Sequence, residues 1–311
     1  MFANIFSKLL IVSLIFAVLS CKTPNDNPPA SGGDIPITLH LDAYASDYKI
    51  CVFGDSGTGT SEQVIVAKAL EKEKCNEVRH VGDIIYDSGL KSATDKQLQT
   101  KFLTPYQNIL SVTPFYMALG NHDHLGNASA WLDIAKTNPQ VKFPSYTYAE
   151  THGDVCFVTL DTDTSKTMQA QKDWLEKMKL EFGPTCRLSV AIGHHPYLSV
   201  GEHGDATGIQ KDLLETSVLG HFDLYLAGHD HNLSDEGEIE GTHLMVSGAG
   251  AQLRSLVHDP RVWAASELGY LTLSYQSDEQ GDYFTFRFVT VNSKSEGTVA
   301  HSGVIRGNGI R

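Results

Sequence analysis

Positive charge is scarce in this sequence. Its 311 residues carry 24 Lys and Arg against 37 Asp and Glu, a formal net charge of -13. A surface of that sign repels nucleic acid and anionic lipid, which excludes charge-driven binding to either. An anionic small substrate would need a local cationic site, and bound metal ions would supply one. Long apolar runs are also few: Leu9–Leu19 is almost wholly apolar, yet too short for a comfortable membrane span. No internal repeat and no low-complexity block appears after the N-terminal region, which excludes a repeat architecture. Cysteine is sparse, and Cys51, Cys75, Cys156 and Cys186 lack the spacing of a disulfide scaffold. Histidine is the contrast, with 14 residues.

The start of the chain reads as targeting rather than fold. A single Lys8 precedes the apolar stretch, as in a secretory signal. Val18-Leu19-Ser20-Cys21 resembles the lipobox of bacterial lipoproteins, which implies loss of residues 1–20 and lipidation of Cys21. The expectation is an exported protein of the periplasm or cell envelope, touching membrane only through that lipid. Residues 22–37 are rich in Pro, Gly, Asn and Ser, so 21–45 is assigned to a flexible tether and 46–311 to one catalytic domain. An exported protein could pair its four remaining cysteines. Cys51 and Cys156 lie inside apolar runs, so buried free thiols are an equal reading.

Apolar runs then alternate with helical stretches. Strands are predicted at Lys49–Gly54, Val78–Gly82, Phe115–Leu119, Val155–Leu160, Leu188–Ile192 and Leu224–Ala227. Helices are predicted at Ser61–Lys74 (with Ser61 as N-cap), 98–110, Ala128–Lys136, Gln171–Phe182 and near Lys211–Leu219. Beyond His231 the pattern is strands alone: His243–Ser247, Tyr270–Tyr275, Tyr283–Val291 and Thr298–Ile305. This order predicts a single α/β domain with an antiparallel-rich C-terminal part.

The chemistry lies just past the strand ends. Five apolar runs end in Gly and deliver a metal-competent side chain at once: Asp55; Asp83 with Tyr86; Asn121-His122; His194; and His229-Asp230-His231. Open α/β sheets bind ligands beyond the carboxyl ends of their strands, and glycine permits a tight turn and close approach there. Carboxylate, amide and imidazole donors suit two adjacent hard or borderline cations. His229 and His231, two apart on an extended segment, point to one side. One carboxylate must bridge the pair, and Asp83, placed after the second strand between the other donors, is the choice. A free phenol titrates near pH 10, so Tyr86 as a ligand needs a strong Lewis acid beside it, for which iron(III) is the natural candidate. No Arg or Lys sits in the five motifs, which leaves charge neutralisation to metals and histidines.

At GDSG (54–57), GDIIY (82–86), GNHD (120–123), GHHP (193–196) and GHDH (228–231) the chain resembles the calcineurin-like metallophosphoesterases, and within them the purple acid phosphatases. The likeness continues through GNHDHLGNASA (120–130), DTDT (161–164), GEHG (201–204), GHDHNL (228–233) and SGAG (247–250), and covers residues 47–306. It implies a four-layer αββα sandwich of two mixed sheets. It also implies iron(III) on Asp55, Asp83, Tyr86 and His231, with divalent iron, zinc or manganese on Asn121, His194 and His229, Asp83 bridging. His122 and His203 would contact phosphate and help protonate the leaving alkoxide. His124 and His195 match no ligand. Between DTDT and the next helix the chain has only about Ser165–Ala170, which argues against regulation by cleavage there. His195 stands where an aromatic is usual, which affects the substrate pocket.

The expected activity is acid hydrolysis of small phosphate monoesters by metal-activated water, in a protein acting as a monomer. Phosphodiesterase or nucleotidase relatives are the nearest alternative, against which Tyr86 argues. A surface lipoprotein that binds metal or phosphate without turnover is another, against which His122 and His203 argue.

Overall fold

The computed structural model describes residues 37–311 except 165–167 and 258–262. The signal segment, Cys21, the tether up to residue 36 and the start of the 165–170 loop lie outside the described residues.

The unbroken apolar runs become short strands covered on both faces. Lys49–Phe53, Glu77–Val81, Phe115–Ala118, Val155–Thr159, Leu188–Ile192 and Leu224–Ala227 are buried at every position except Lys49. They form two parallel triplets, the first three side by side in one sheet and the last three in the other. Alternation along each strand sorts its side chains between two cores. Ile50 and Val52 join Phe157, Val190, Leu224 and Leu271 in a core between the sheets. Cys51 and Phe53 face the other way, onto Val66, Leu70, Phe102 and Trp131. In the second triplet Cys156, Val158 and Tyr225 pack outward on Leu175, Met178 and Leu214.

Three apolar layers therefore separate four layers of structure. Helices Ser61–Glu73 and Ala130–Thr137 back the seven-stranded sheet; Met168–Phe182 and Gly208–Ser217 back the eight-stranded one. The αββα architecture implied by the resemblance is the observed one. The seven-stranded sheet runs Gly297–Arg306, Gly281–Val291, Gly269–Asp278, Lys49–Phe53, Glu77–Val81, Phe115–Ala118, Val141–Lys142. The eight-stranded sheet runs Ile37–Leu41, Tyr148–His152, Val155–Thr159, Leu188–Ile192, Leu224–Ala227, Thr242–Ser247, Leu233–Ile239, Trp263–Ala265.

Four readings change. The tether drawn to residue 45 is too long, because Ile37–Leu41 pairs in parallel with Tyr148–His152. Thr60, extended at φ -89° and ψ 172°, is the N-cap of the first helix, and Ser61 is its first helical residue. The helix expected over 98–110 is broken into Lys96–Leu98, a π-helical turn Gln99–Leu103 and Gln107–Leu110. There the Gln63 side chain from the neighbouring helix donates to the Lys101 carbonyl. The four cysteines are paired, Cys51–Cys75 and Cys156–Cys186, so the free-thiol reading falls. Each disulfide ties a strand to the chain just before the next parallel strand, spanning one helical crossover in each sheet. Strands Tyr148–His152, Leu233–Ile239 and Trp263–Ala265 escaped the apolar pattern. Leu233–Ile239 (LSDEGEI) is mostly polar and is held by pairing to Thr242–Ser247.

Candidate metal centre

Both parallel triplets end at the same edge of the sandwich. Gly54 N–H donates to the Ser247 carbonyl at 2.8 Å, and Gly250 N–H donates to the Gly54 carbonyl at 3.1 Å, so the sheets meet beside the strand ends. The chain leaves those ends through unusual backbone. Asp55, Asp83 and His229 adopt φ of 55°, 52° and 69°. Left-handed backbone costs a residue with a Cβ on the order of 1–2 kcal/mol, and Asp, Asn and His tolerate it best. Here it turns each side chain inward over the sheet edge. Close approach requires glycine before the expected ligands: a Cβ on Gly82 would lie 2.4 Å from His194 Nδ1, one on Gly120 2.2 Å from Asp83 Oδ1, and one on Gly228 2.4 Å from Asp55 Oδ2.

All seven expected ligands are brought together, in two groups about one oxygen. On one side Tyr86 Oη lies 3.0 Å from Asp55 Oδ1 and 3.0 Å from His231 Nε2. On the other, Asn121 Oδ1 lies 3.2 Å from His194 Nε2 and 3.0 Å from His229 Nδ1. Asp83 Oδ2 stands between, 2.8 Å from Tyr86 Oη and 3.4 Å from His194 Nε2. Asp55, Asp83 and His194 are buried, with ligand atoms within 4.8 Å of one another.

The donor set demands a cation. His194 Nδ1 lies 2.9 Å from the Val81 carbonyl and donates to it, so Nε2 turns a lone pair toward Asn121 Oδ1 and Asp83 Oδ2. Acceptors facing acceptors in a buried site are stable only with a positive charge among them. With protons alone, His194 is pushed up to about 10: burial opposes the charge, but Asp83 and Asp55 favour it more strongly. Burial drives the Asp55 carboxyl and the Tyr86 phenol up, whereas Asp83 is held low against burial by His194. A proton on His194 is what a metal ion would replace, and the residues fit a metal.

Neighbouring groups fix the ligands. Asp123 accepts from the backbone of Ile84, Ile85 and Gly120, joining the Asp83 and Asn121 turns. Asp230 accepts from His203 N–H at 2.9 Å and from the Ser199 hydroxyl, holding the 199–203 loop against the centre. His203 stacks on His229 with ring centroids 4.2 Å apart. His122 donates from Nδ1 to the Asp87 carbonyl at 2.6 Å, while its Nε2 lies 3.9 Å from Asp83 Oδ2. Thus both expected phosphate-contacting histidines flank the centre, one on each side. His124 instead pairs with Asp161 at 3.0 Å. Burial, with the field of His194, pulls His195 down to about 3, so its ring stays neutral.

Arg254 is a residue the motifs missed. Its backbone N–H donates to the His231 carbonyl, and after burial its guanidinium is the next cause holding His231 down, at about 4. Its buried Nε has no partner. Its guanidinium Nη1 lies 3.5 Å from Glu202 Oε2, so the loop beyond SGAG is tied both to His231 and to the 199–203 loop. Four residues past SGAG, Arg254 carried no motif signal of its own.

Comparison with known proteins agrees with this geometry. Residues 48–233 match the calcineurin-like phosphoesterase family. Tartrate-resistant acid phosphatase type 5 of Rattus norvegicus is 29% identical over 84% of this chain and 88% of its own. The Mus musculus protein of the same name is 30% identical over 71% of this chain and 73% of its own. Purple acid phosphatase 3 of Arabidopsis thaliana is 30% identical, covering 74% of this chain and 69% of its own. Among solved structures, GAP50, the anchor in the inner membrane complex of Plasmodium, superposes with a TM-score of 0.69 at 20% identity, covering 85% of this chain and 90% of its own. A dimetal phosphatase from Danio rerio does so with a TM-score of 0.56 at 12% identity, covering 85% of this chain and all of that one (100%). At such identities the two structures share the fold. By its matched span, its two sheets and the motif residues gathered at their common edge, this chain belongs to the calcineurin-like phosphoesterase family.

Proposed function

We propose that the chain is a binuclear-metal acid phosphatase that hydrolyses phosphate monoesters. The observation that carries this reading is Asp83 Oδ2, placed between a Tyr86–Asp55–His231 group and an Asn121–His194–His229 group. The first group would hold iron(III) and the second a divalent iron, zinc or manganese, with Asp83 shared. The names of the relatives, tartrate-resistant and purple acid phosphatases, support the same activity. Such a pair supplies Lewis acidity, drawing charge from phosphoryl oxygens and making water acidic near neutral pH.

The chain's own residues orient and protonate. His122, anchored by Asp87, presents Nε2 on one side of the centre; His203, seated on His229, closes the other. From those places they contact the phosphoryl oxygens and give a proton to the departing alkoxide. Export with lipidation at Cys21 belongs to the same proposal, and the two disulfides support an oxidising compartment.

The test is metal analysis and a visible spectrum of the domain purified without residues 1–36. Two metals including iron, with a broad phenolate-to-iron band that disappears in Tyr86→Phe, are expected. A colourless protein holding zinc or manganese alone, fully active as Tyr86→Phe, would overturn the iron(III) assignment. Preference for a phosphodiester over a monoester would overturn the specificity.

A further inference from the structure

Thr162 fixes the tautomer of a histidine that has no part in the seven-residue centre. Its Oγ1 accepts from the backbone N–H of His194 at 3.2 Å and of His195 at 3.1 Å, which occupies both lone pairs. The hydroxyl hydrogen is then left for His195 Nδ1, 2.8 Å away. His195 Nδ1 is an acceptor, and the ring's one hydrogen sits on Nε2. The ring itself is immobilised, edge-on to His194 at 5.2 Å and 4.5 Å from His229, while Tyr225 donates to its carbonyl at 2.6 Å. Among the described residues, nothing accepts from Nε2–H.

His195 lines a cavity of about 260 Å³ that opens from His229 and His203 toward Asp205, Thr207 and Gln210. No Lys or Arg lines it. The Asp205 carboxylate, one oxygen of which accepts from Ser199 N–H at 3.0 Å, repels a second phosphate, and with the Gln210 amide it adds acceptors to the cavity that His195 lines. A hydroxyl group, both donor and acceptor, fits such walls; a bare aromatic ring or a polyphosphate does not. We infer that this cavity receives the alcohol portion of the substrate, that His195 Nε2–H donates a hydrogen bond to one of its hydroxyl oxygens, and that the substrate class is a singly phosphorylated sugar or polyol. This rests on the phosphatase reading above.

The test compares kcat/KM for glucose 6-phosphate, phenyl phosphate and fructose 1,6-bisphosphate in the wild type, His195→Phe and His195→Gln, with metal content measured for each. The wild type should prefer glucose 6-phosphate. His195→Phe, which keeps a ring but removes the donor, should lower the glucose 6-phosphate to phenyl phosphate ratio about threefold to tenfold, chiefly through KM. His195→Gln, which restores an N–H donor, should recover part of it. Equal losses on both substrates with reduced metal content would make His195 a support of His194 and overturn the inference. So would wild-type preference for phenyl phosphate or the bisphosphate, or an unchanged ratio in His195→Phe. A metal-loaded wild type inert to all three esters would overturn the phosphatase reading itself, and this inference with it.

Discussion

The glycines that precede the ligands matter for what they lack. A Cβ on Gly120 would meet Asp83 Oδ1 at 2.2 Å and the Asp83 nitrogen at 2.4 Å, neither of which can move without displacing the shared carboxylate. Gly120→Ala should therefore fold but bind metal poorly, with kcat/KM down at least about 100-fold, the scale expected of an ångström-sized misplacement at a reacting centre. Metal stoichiometry alongside kinetics checks this, and a fully metallated, fully active variant would refute it. The seven expected ligands could be picked out because each lies just past a strand-end glycine and the types suit two cations together, and the structure gathers them at one place. His195 and Arg254 were not legible in the same way. His195 becomes a pocket donor only because Thr162 takes its Nδ1, and Arg254 reaches His231 only because the 248–257 loop folds back. Asp123 and Asp230 sit inside the motifs, yet their work is to hold backbone, which residue type alone does not announce.

Among elements, the buried parallel strands were the most legible, being short, apolar and bounded by glycine. Their boundaries moved by at most one residue, whereas helices Met168–Phe182 and Gly208–Ser217 begin three residues early and strand Gly269–Asp278 ends three residues late; the failures were polar or short strands whose existence depends on a partner. The disulfides show the limit of one-dimensional reading. Cys51 and Cys156 alternate to the helix-facing side of their strands, where each meets the cysteine that closes its own crossover, 24 and 30 residues on. Loops of that length are worth about 3–4 kcal/mol each in chain entropy lost from the unfolded state. Replacing Cys51 and Cys75 together by Ser should lower stability by about that amount in urea titration, and replacing Cys156 and Cys186 should do the same. Removing both pairs should give an additive loss, because the two crossovers lie on opposite faces of the sandwich.

At the scale of the molecule, the seam between the sheets carries polar ties as well as apolar packing. Arg79 lies buried between the Tyr116 and Phe157 rings, 4.0 Å from each, paired with Glu77 and with Glu150 of the opposite sheet. Nearer the surface, Asp235 of the eight-stranded sheet accepts from His243 at 2.6 Å and from His301 of the seven-stranded sheet at 2.8 Å. Burial raises the Asp235 carboxyl, but the two histidines outweigh it and hold it below its ordinary value. A depressed carboxylate stabilises the fold above its unfolded pKa of about 4, and that contribution disappears as pH falls through the lower folded value. Unfolding free energy measured from pH 5 down to 2 should decline less steeply in Asp235→Asn than in the wild type, which holds its advantage at pH 5 and loses it toward pH 2.

The metal centre itself straddles this seam. Asp55, Asp83 and Asn121 come from the seven-stranded sheet, and His194, His229 and His231 from the eight-stranded one. Whatever binds there fastens the two sheets, so metal affinity and folding share one free energy; free metal at a hundred times its dissociation constant adds about 2.7 kcal/mol. Chelation should lower the melting temperature as well as abolish turnover, and readdition should restore both. A chelated protein that melts as the loaded one does would show the seam to be indifferent to the ions. In a living cell the same linkage has a consequence for supply: when the metal is short, the unmetallated chain is the one proteases find first, and its half-life would track the metal available to its compartment.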